Sequence, residues 1–387
     1  MNETPSRKAR HRSAPFTTAA ALGVLGIVTL SGCIGRADAR QAGAADSLYI
    51  GVAAAHATGE QYFRGVQLAV DRLNAERKAG ARPFAMRKAP ERQETQVAVA
   101  AFFRDDPDVI GVVGHTGSAQ TVEAAPIYAD VEGEGRRAVL AITPTATNPA
   151  VTREGGWVYR VCPTDNDGAQ ALAQFVLDSL GARRVAVLYR NDLFGRGYVR
   201  AFSRALQHGG GSITHRDPYL AGITEFRAYA TRLQRNPPDV LVVAGGSMDL
   251  VSMVRELRRL GAQIPTVGTD DIGSLNQDTA LAREFRGVRF TAFFQPTNEG
   301  SEETRQFLDA YRSAYDKLPE QQAALAYDAA MVIGRAALAA GPNRAKVRAW
   351  VAALNSGRAH EGVTGPIRFN SRGDVVGKPV FLGEIRP

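Results

Sequence analysis

Cysteine is scarce: Cys33 and Cys162 are the only two in 387 residues. A disulfide-stapled scaffold is therefore excluded, and without a Cys-x-x-Cys pair there is no thiolate zinc site. The six histidines are dispersed and form no His-Glu-x-x-His, and no Gly-x-Ser-x-Gly elbow occurs. Zinc-protease and α/β-hydrolase chemistry thus lack their ligands and nucleophile. No repeat period or low-complexity tract is present, which removes solenoid and fibrous classes. Charge of one sign is also limited. Of the net +8, +3 lies in residues 1–32 (Arg7, Lys8, Arg10 and Arg12 against Glu3), leaving +5 on the rest. The remaining arginines are scattered rather than clustered with aromatics, so nucleic acid is not an expected partner. What is present is ordinary: 44% hydrophobic and 22% charged residues, with length enough for two domains and a sizeable core. No enzyme activity, cofactor or metal is expected.

The first segment reads as a targeting signal. A basic stretch from Arg7 to Arg12 precedes a charge-free run, Ala14 to Leu30, with the composition of a signal-peptide core. It ends in Leu30-Ser31-Gly32-Cys33, which resembles the bacterial lipobox. The resemblance implies a cleaved signal peptide at 1–32, lipidation of Cys33 and a membrane-anchored, extracytoplasmic protein. Residues 33–46 lack apolar periodicity and read as a tether. With Cys33 acylated, Cys162 has no intramolecular partner. Its strand-like context, Trp157 to Cys162, reads as a buried structural thiol.

From Leu48 onward, short β-branched runs alternate with amphipathic segments: strands at 109–113, 138–142, 184–189, 212–216, 239–243, 265–268 and 287–293, helices at 119–129, 167–180, 196–208, 224–234 and 248–260. This is the grammar of parallel βαβ units, a doubly wound α/β class. One open sheet of this many strands is too wide, so two similar lobes are expected. Beyond residue 300 the pattern turns helical (302–316, 321–340 and 343–355) and closes with a short β segment.

Three loops at strand ends carry polar chemistry. Gly111-Val-Val-Gly-His-Thr-Gly-Ser118 runs into a helix, where backbone N–H groups favour an anion. Ile142-Thr-Pro-Thr-Ala-Thr-Asn-Pro149 presents hydroxyls between prolines on the neighbouring strand. Val267-Gly-Thr-Asp-Asp271 places an acidic pair in the second half. Helix capping is the alternative for each loop alone. Ligands of open α/β sheets lie at such strand ends, and adjacent polar loops point to one shared site.

These segments, together with Tyr189-Arg-Asn-Asp-Leu-Phe-Gly-Arg-Gly197 and Gly245-Gly-Ser247, occur in an order that resembles the type I periplasmic binding proteins of the leucine/isoleucine/valine family, receptors of ABC importers for branched-chain amino acids. The likeness covers most of residues 47–387. It implies a two-lobed clamp with hinge crossings near 163–165, 289–292 and 376–379. One lobe is then 47–163 plus 291–377, the other 164–290 plus 378–387. It further implies that Ser118, Thr145 and Thr147 bind a ligand carboxylate, that Phe194 covers the ligand, and that Asp270 pairs with its ammonium group. Ser247 stands where the family carries an aromatic wall, and the loop from Ala54 to Gly59 lacks another, so a leucine-like side chain loses its pocket. The implied partners are a small amino-acid-like or amide solute, an ABC permease and, through Cys33, the membrane.

Two other classes compete. Gly373-Asp-Val-Val-Gly-Lys378 is superficially like a phosphate-binding loop but is one residue short and precedes no helix. His115 reads as a loop residue rather than a general base. A lipoprotein sensor or interaction module that contacts a partner protein is the alternative to solute delivery.

Overall fold

The computed structural model describes residues 46–55, 59–91, 95–153, 156–297 and 300–387. The expected signal segment, Cys33, the tether as far as residue 45, and residues 56–58 of the first strand-end loop lie outside the described residues.

The chain runs β1 (Leu48–Ala53), α1 (Glu60–Glu76), β2 (Phe84–Lys88), α2 (Gln96–Asp105), β3 (Val109–Gly114), α3 (Ser118–Tyr128), β4 (Ala141–Thr143) and β5 (Val158–Arg160). These strands form a parallel sheet in the order β2-β1-β3-β4-β5. A second series follows: α4 (Asp165–Gln174), β6 (Arg184–Arg190), α5 (Leu193–His208), β7 (Ser212–Tyr219), α6 (Arg227–Arg235), β8 (Val240–Ala244), α7 (Ser247–Arg259), β9 (Thr266–Gly268), α8 (Thr279–Glu284) and β10 (Arg289–Ala292). Then come α9 (Glu302–Tyr315), α10 (Gln321–Ala340), α11 (Arg344–Ala352), the hairpin strands β11 (His360–Gly362) and β12 (Gly365–Ile367), and β13 (Phe381–Glu384). The second sheet has the order β13-β10-β9-β8-β6-β7, with β13 antiparallel to β10. The expected α/β class of two doubly wound sheets is the fold found.

Every residue of β3 and of β8 is buried, as parallel strands covered by helices on both faces must be. On one face of the first sheet, α1 presents Phe63, Val66, Val70 and Leu73 to a core shared with α9 and α10. Helix α10 is alanine-rich and buried along most of its length. Although it is long and apolar enough to cross a membrane, it is packed inside the protein. It crosses α1 so closely that a Cβ on Gly65 would run into the Ala323 carbonyl oxygen. Glycine is therefore a packing requirement at position 65.

Strand β10 pairs with β9 at Arg289 and Phe290 and with β13 along its whole length, and Phe293 is the first following side chain to join the first core. The Lys378 ammonium group is buried, 3.7 Å from Asp328 and 3.0 Å from the Thr364 carbonyl oxygen. That makes Lys378 a structural tie, which accounts for the lysine of the phosphate-loop-like segment. The chain enters the second sheet again only with β13.

Candidate functional site

The two polar loops of the first sheet are stitched into one surface. Thr143 Oγ1 donates to the His115 carbonyl, Thr145 Oγ1 donates to the Thr116 carbonyl at 2.8 Å, and the Asn148 N–H donates to Ser118 Oγ at 3.2 Å. Ser118 and Thr147 are buried, and Thr145 is half-buried and shares a 3.0 Å hydrogen bond with the Tyr62 hydroxyl. The His115 ring lies between Gln96 (2.7 Å) and the Tyr128 hydroxyl (2.9 Å). Burial lowers its pKa to about 3, so the ring is neutral and serves as scaffold.

An arginine that carries no sequence motif holds the second loop in place. Arg160, the last residue of β5, is fully buried. Its guanidinium donates to the carbonyls of Ala146 (3.1 Å) and Asn148 (2.9 Å), to Thr152 Oγ1 (3.2 Å) and to Asp374 Oδ1 (2.7 Å). Burial raises the Asp374 pKa, but Arg160, Thr152 and Asn370 together outweigh it and hold the carboxyl below its ordinary value. The loop carrying Thr147 is thus tied to the C-terminal segment.

From the same loop, Asn148 reaches toward the second lobe. Its amide donates to Asp165 Oδ2 at 3.0 Å and to the Leu193 carbonyl at 2.9 Å, next to Phe194. Asp165 is buried, its Oδ1 without a hydrogen-bond partner among the described residues, and its pKa rises to about 7, chiefly from burial. Phe194 is half-buried on the second core, its ring centroid 5.7 Å from that of Tyr198.

Between the sheets lies a cavity of about 940 Å³. Its walls follow the C-terminal ends of strands from both sheets: Ala53–Ala55 after β1, Ala89 and Pro90 after β2, His115–Gly117 after β3, Arg190 at the end of β6, Ser247 after β8 and Asp271 after β9. Of the six residues implied by the resemblance, only Ser247 lines this cavity. Its N–H donates to Asp271 Oδ2 at 3.0 Å, and its hydroxyl accepts from Ser274 at 2.9 Å. Ser118, Thr145, Thr147 and Phe194 are not among its lining residues. Asp270 lines a second cavity of about 790 Å³, beside β10, β13 and the loop before α10. Its carbonyl accepts from Gln321 Nε2 at 2.9 Å. The carboxyl pKa rises to about 7 because burial and then the neighbouring Asp271 disfavour its charge.

Sequence reasoning missed several residues of the cleft wall. Tyr62, at the start of α1, supplies an aromatic that the preceding loop lacks. Gln61, Gln96, Gln120 and Gln322 bring amides, and Glu320 an acid. The signal for some of them was positional, since Gln61 and Tyr62 open the helix after β1 and Glu320-Gln321-Gln322 form a polar triplet at the start of an apolar helix. Cys162 is a free, buried thiol whose pKa burial pushes up to about 12, which removes it as a nucleophile.

Comparison with known proteins gives a consistent picture. A family model described as periplasmic binding protein matches residues 37–386. An amino acid binding protein of Pseudomonas aeruginosa is 29% identical over 58% of this chain, which spans 60% of that relative. The Leu/Ile/Val/Thr-binding protein of Salmonella typhimurium is 26% identical over 91% of this chain and 94% of its own length. Among solved structures, a branched-chain amino acid transporter substrate binding protein of Streptococcus pneumoniae, in complex with isoleucine, superposes with a TM-score of 0.78 at 26% identity, covering 88% of this chain and 96% of that one.

Proposed function

This chain belongs to the type I periplasmic binding proteins of the branched-chain amino-acid family, non-enzymatic solute receptors of the extracytoplasmic space, and we propose that it is a lipid-anchored receptor that captures a small amino-acid-like or amide solute between its lobes for an ABC permease. The observation that carries the reading is the cavity between the two sheets, lined from the strand ends of both. A solute touching both walls favours the closed arrangement, because it gains both sets of contacts only there.

In this proposal Ser118, Thr145 and Thr147 serve the carboxylate end at the N-terminus of α3, where hydrogen bonds to a charged group are each worth about 1.5–3 kcal/mol. Asp270, near the hinge, serves the ammonium end, and Phe194 supplies cover from α5. These five residues reach the solute when the walls rearrange around it, Ser247 being in place already. Cys33 anchors the protein through its lipid.

Titration calorimetry of the purified, dialysed chain against amino acids and amides tests the binding reading. Micromolar binding of one class supports it, and no heat from any of them leaves the interaction-module reading standing instead. Anchoring is tested separately: Cys33→Ser abolishes incorporation of radiolabelled palmitate, and labelling that survives the change refutes the anchor.

A further inference from the structure

We propose that the solute is an amino acid with a cationic side chain, of the lysine, ornithine or arginine class, and not a branched aliphatic one. This rests on the solute-binding reading above and names the class that the cleft accepts.

The first argument is the lack of large aliphatic side chains among the described residues of the wall. Alanines at 53, 54, 55 and 89 line the cavity, with Val99 the largest aliphatic side chain; among the described residues no leucine, isoleucine or phenylalanine joins the lining. Burying a leucine or isoleucine side chain stabilises a complex only where apolar surface replaces its water. Here the aliphatic part of that surface comes from small side chains, with Tyr62 adding a ring, and amides and acids are interspersed through the wall.

The second argument is an excess of acceptors. Asp271 approaches from the second lobe and Glu320 from the loop that leads into α10 on the first. Asp271 receives the Ser247 N–H but forms no ion pair among the described residues. Glu320 has neither a hydrogen bond nor an ion pair through its side chain among the described residues. Arg64 and Lys317 are near enough to ease its charge without pairing with it. Among the described lining residues the one arginine, Arg190, is already paired with Asp192 at 2.5 Å. Independently of the acids, Gln322 Oε1 is a buried acceptor in the same wall without a partner among the described residues. A buried carbonyl oxygen left without a donor is costly, and so is a carboxylate that closure strips of water.

A side-chain ammonium or guanidinium resolves each of these at once. It donates to Gln322, neutralises Asp271 and Glu320, and is gripped from both lobes, so its binding energy is expressed on closure. An aliphatic side chain would dehydrate the same acids with nothing in return. Burial and mutual repulsion raise the pKa of Glu320 to about 7, the direction expected of an acidic pocket that awaits a cation.

The test is titration of the dialysed full chain with L-lysine, L-ornithine, L-arginine, L-leucine and L-norleucine. Lysine and norleucine differ at the ammonium group, so this pair reads the cation without any substitution. The expected result is that lysine, ornithine or arginine binds at least about tenfold tighter than norleucine and leucine, which is about 1.4 kcal/mol. In Glu320→Gln and Asp271→Asn, each checked for folding by circular dichroism, that ratio collapses toward one. Leucine or norleucine binding tighter than every cationic amino acid overturns this inference and leaves the solute-binding reading intact. Silence from all five, with neutral amides also silent, overturns both. Variants that keep the full cationic preference overturn the roles of Asp271 and Glu320.

Discussion

Removing the Arg160 guanidinium is the sharpest perturbation of the scaffold behind the site. Arg160→Met keeps most of the volume and strips four hydrogen-bonded partners: Asp374, Thr152 and the carbonyls of Ala146 and Asn148. The side chain is fully buried, so water cannot substitute for it without a rearrangement. Breaking one side of a buried, hydrogen-bonded ion pair costs about 3–5 kcal/mol. With an unfolding entropy of about 2.1 cal/mol/K per residue over roughly 340 residues, this lowers Tm by about 4–7 °C. A scanning calorimeter measures it directly. The double variant Arg160→Met with Asp374→Asn should lose less than the sum of the single changes, because the stranded carboxylate is gone. Solute affinity should also fall, since the loop bearing Thr147 loses two carbonyl anchors. A Tm shift under about 1 °C in the single variant, or full additivity in the pair, would refute the claim that this guanidinium holds the loop.

Other consequences follow from the same geometry. Asp165 has its pKa raised to about 7, above its unfolded value, so the native state disfavours ionisation and the penalty grows as pH rises from about 4 to about 7. Asp165→Asn should therefore raise Tm at pH 8 and leave it nearly unchanged at pH 4; a loss at pH 8 contradicts the assignment. Asp270→Ala should weaken zwitterionic solutes by about 3–5 kcal/mol and simple acids far less, and equal weakening would rule out the ammonium role. Phe194→Ala should weaken both kinds alike, because it removes apolar cover. Because the Asp270 carboxyl titrates near pH 7, an ammonium brought beside it should release protons at neutral pH. Calorimetry in buffers of different ionisation enthalpy reads that release, and its absence speaks against contact. Reductant should leave Tm unchanged, since Cys162 is free; a drop of several degrees would mean an unseen bridge.

The alternation of strands and helices was legible because both faces of each sheet are covered. Runs such as Val109–Gly114 and Val240–Ala244 are apolar at every position, and the helices between them are amphipathic. Phe84–Lys88 escaped because it is an edge strand with a basic end, and Gln96–Asp105 because a short run of Val, Ala and Phe carries no clear period. The hydroxyl-rich loops were visible as clusters of Thr and Pro after a strand. What holds them was not: Arg160 and Asp374 lie 214 residues apart, and no local pattern links them. The cleft wall was hidden for the same reason. Tyr62, Asp271, Glu320 and Gln322 come from three distant segments and meet only when the sheets are assembled.

A crystal structure of the chain grown with the tightest-binding amino acid tests the central claim most directly. The account predicts the solute between the two sheets, its carboxylate within hydrogen-bonding distance of Ser118 and Thr147 and its ammonium facing Asp270. A solute seated in the cavity beside β10 and β13, away from Ser118 and Thr147, would contradict it.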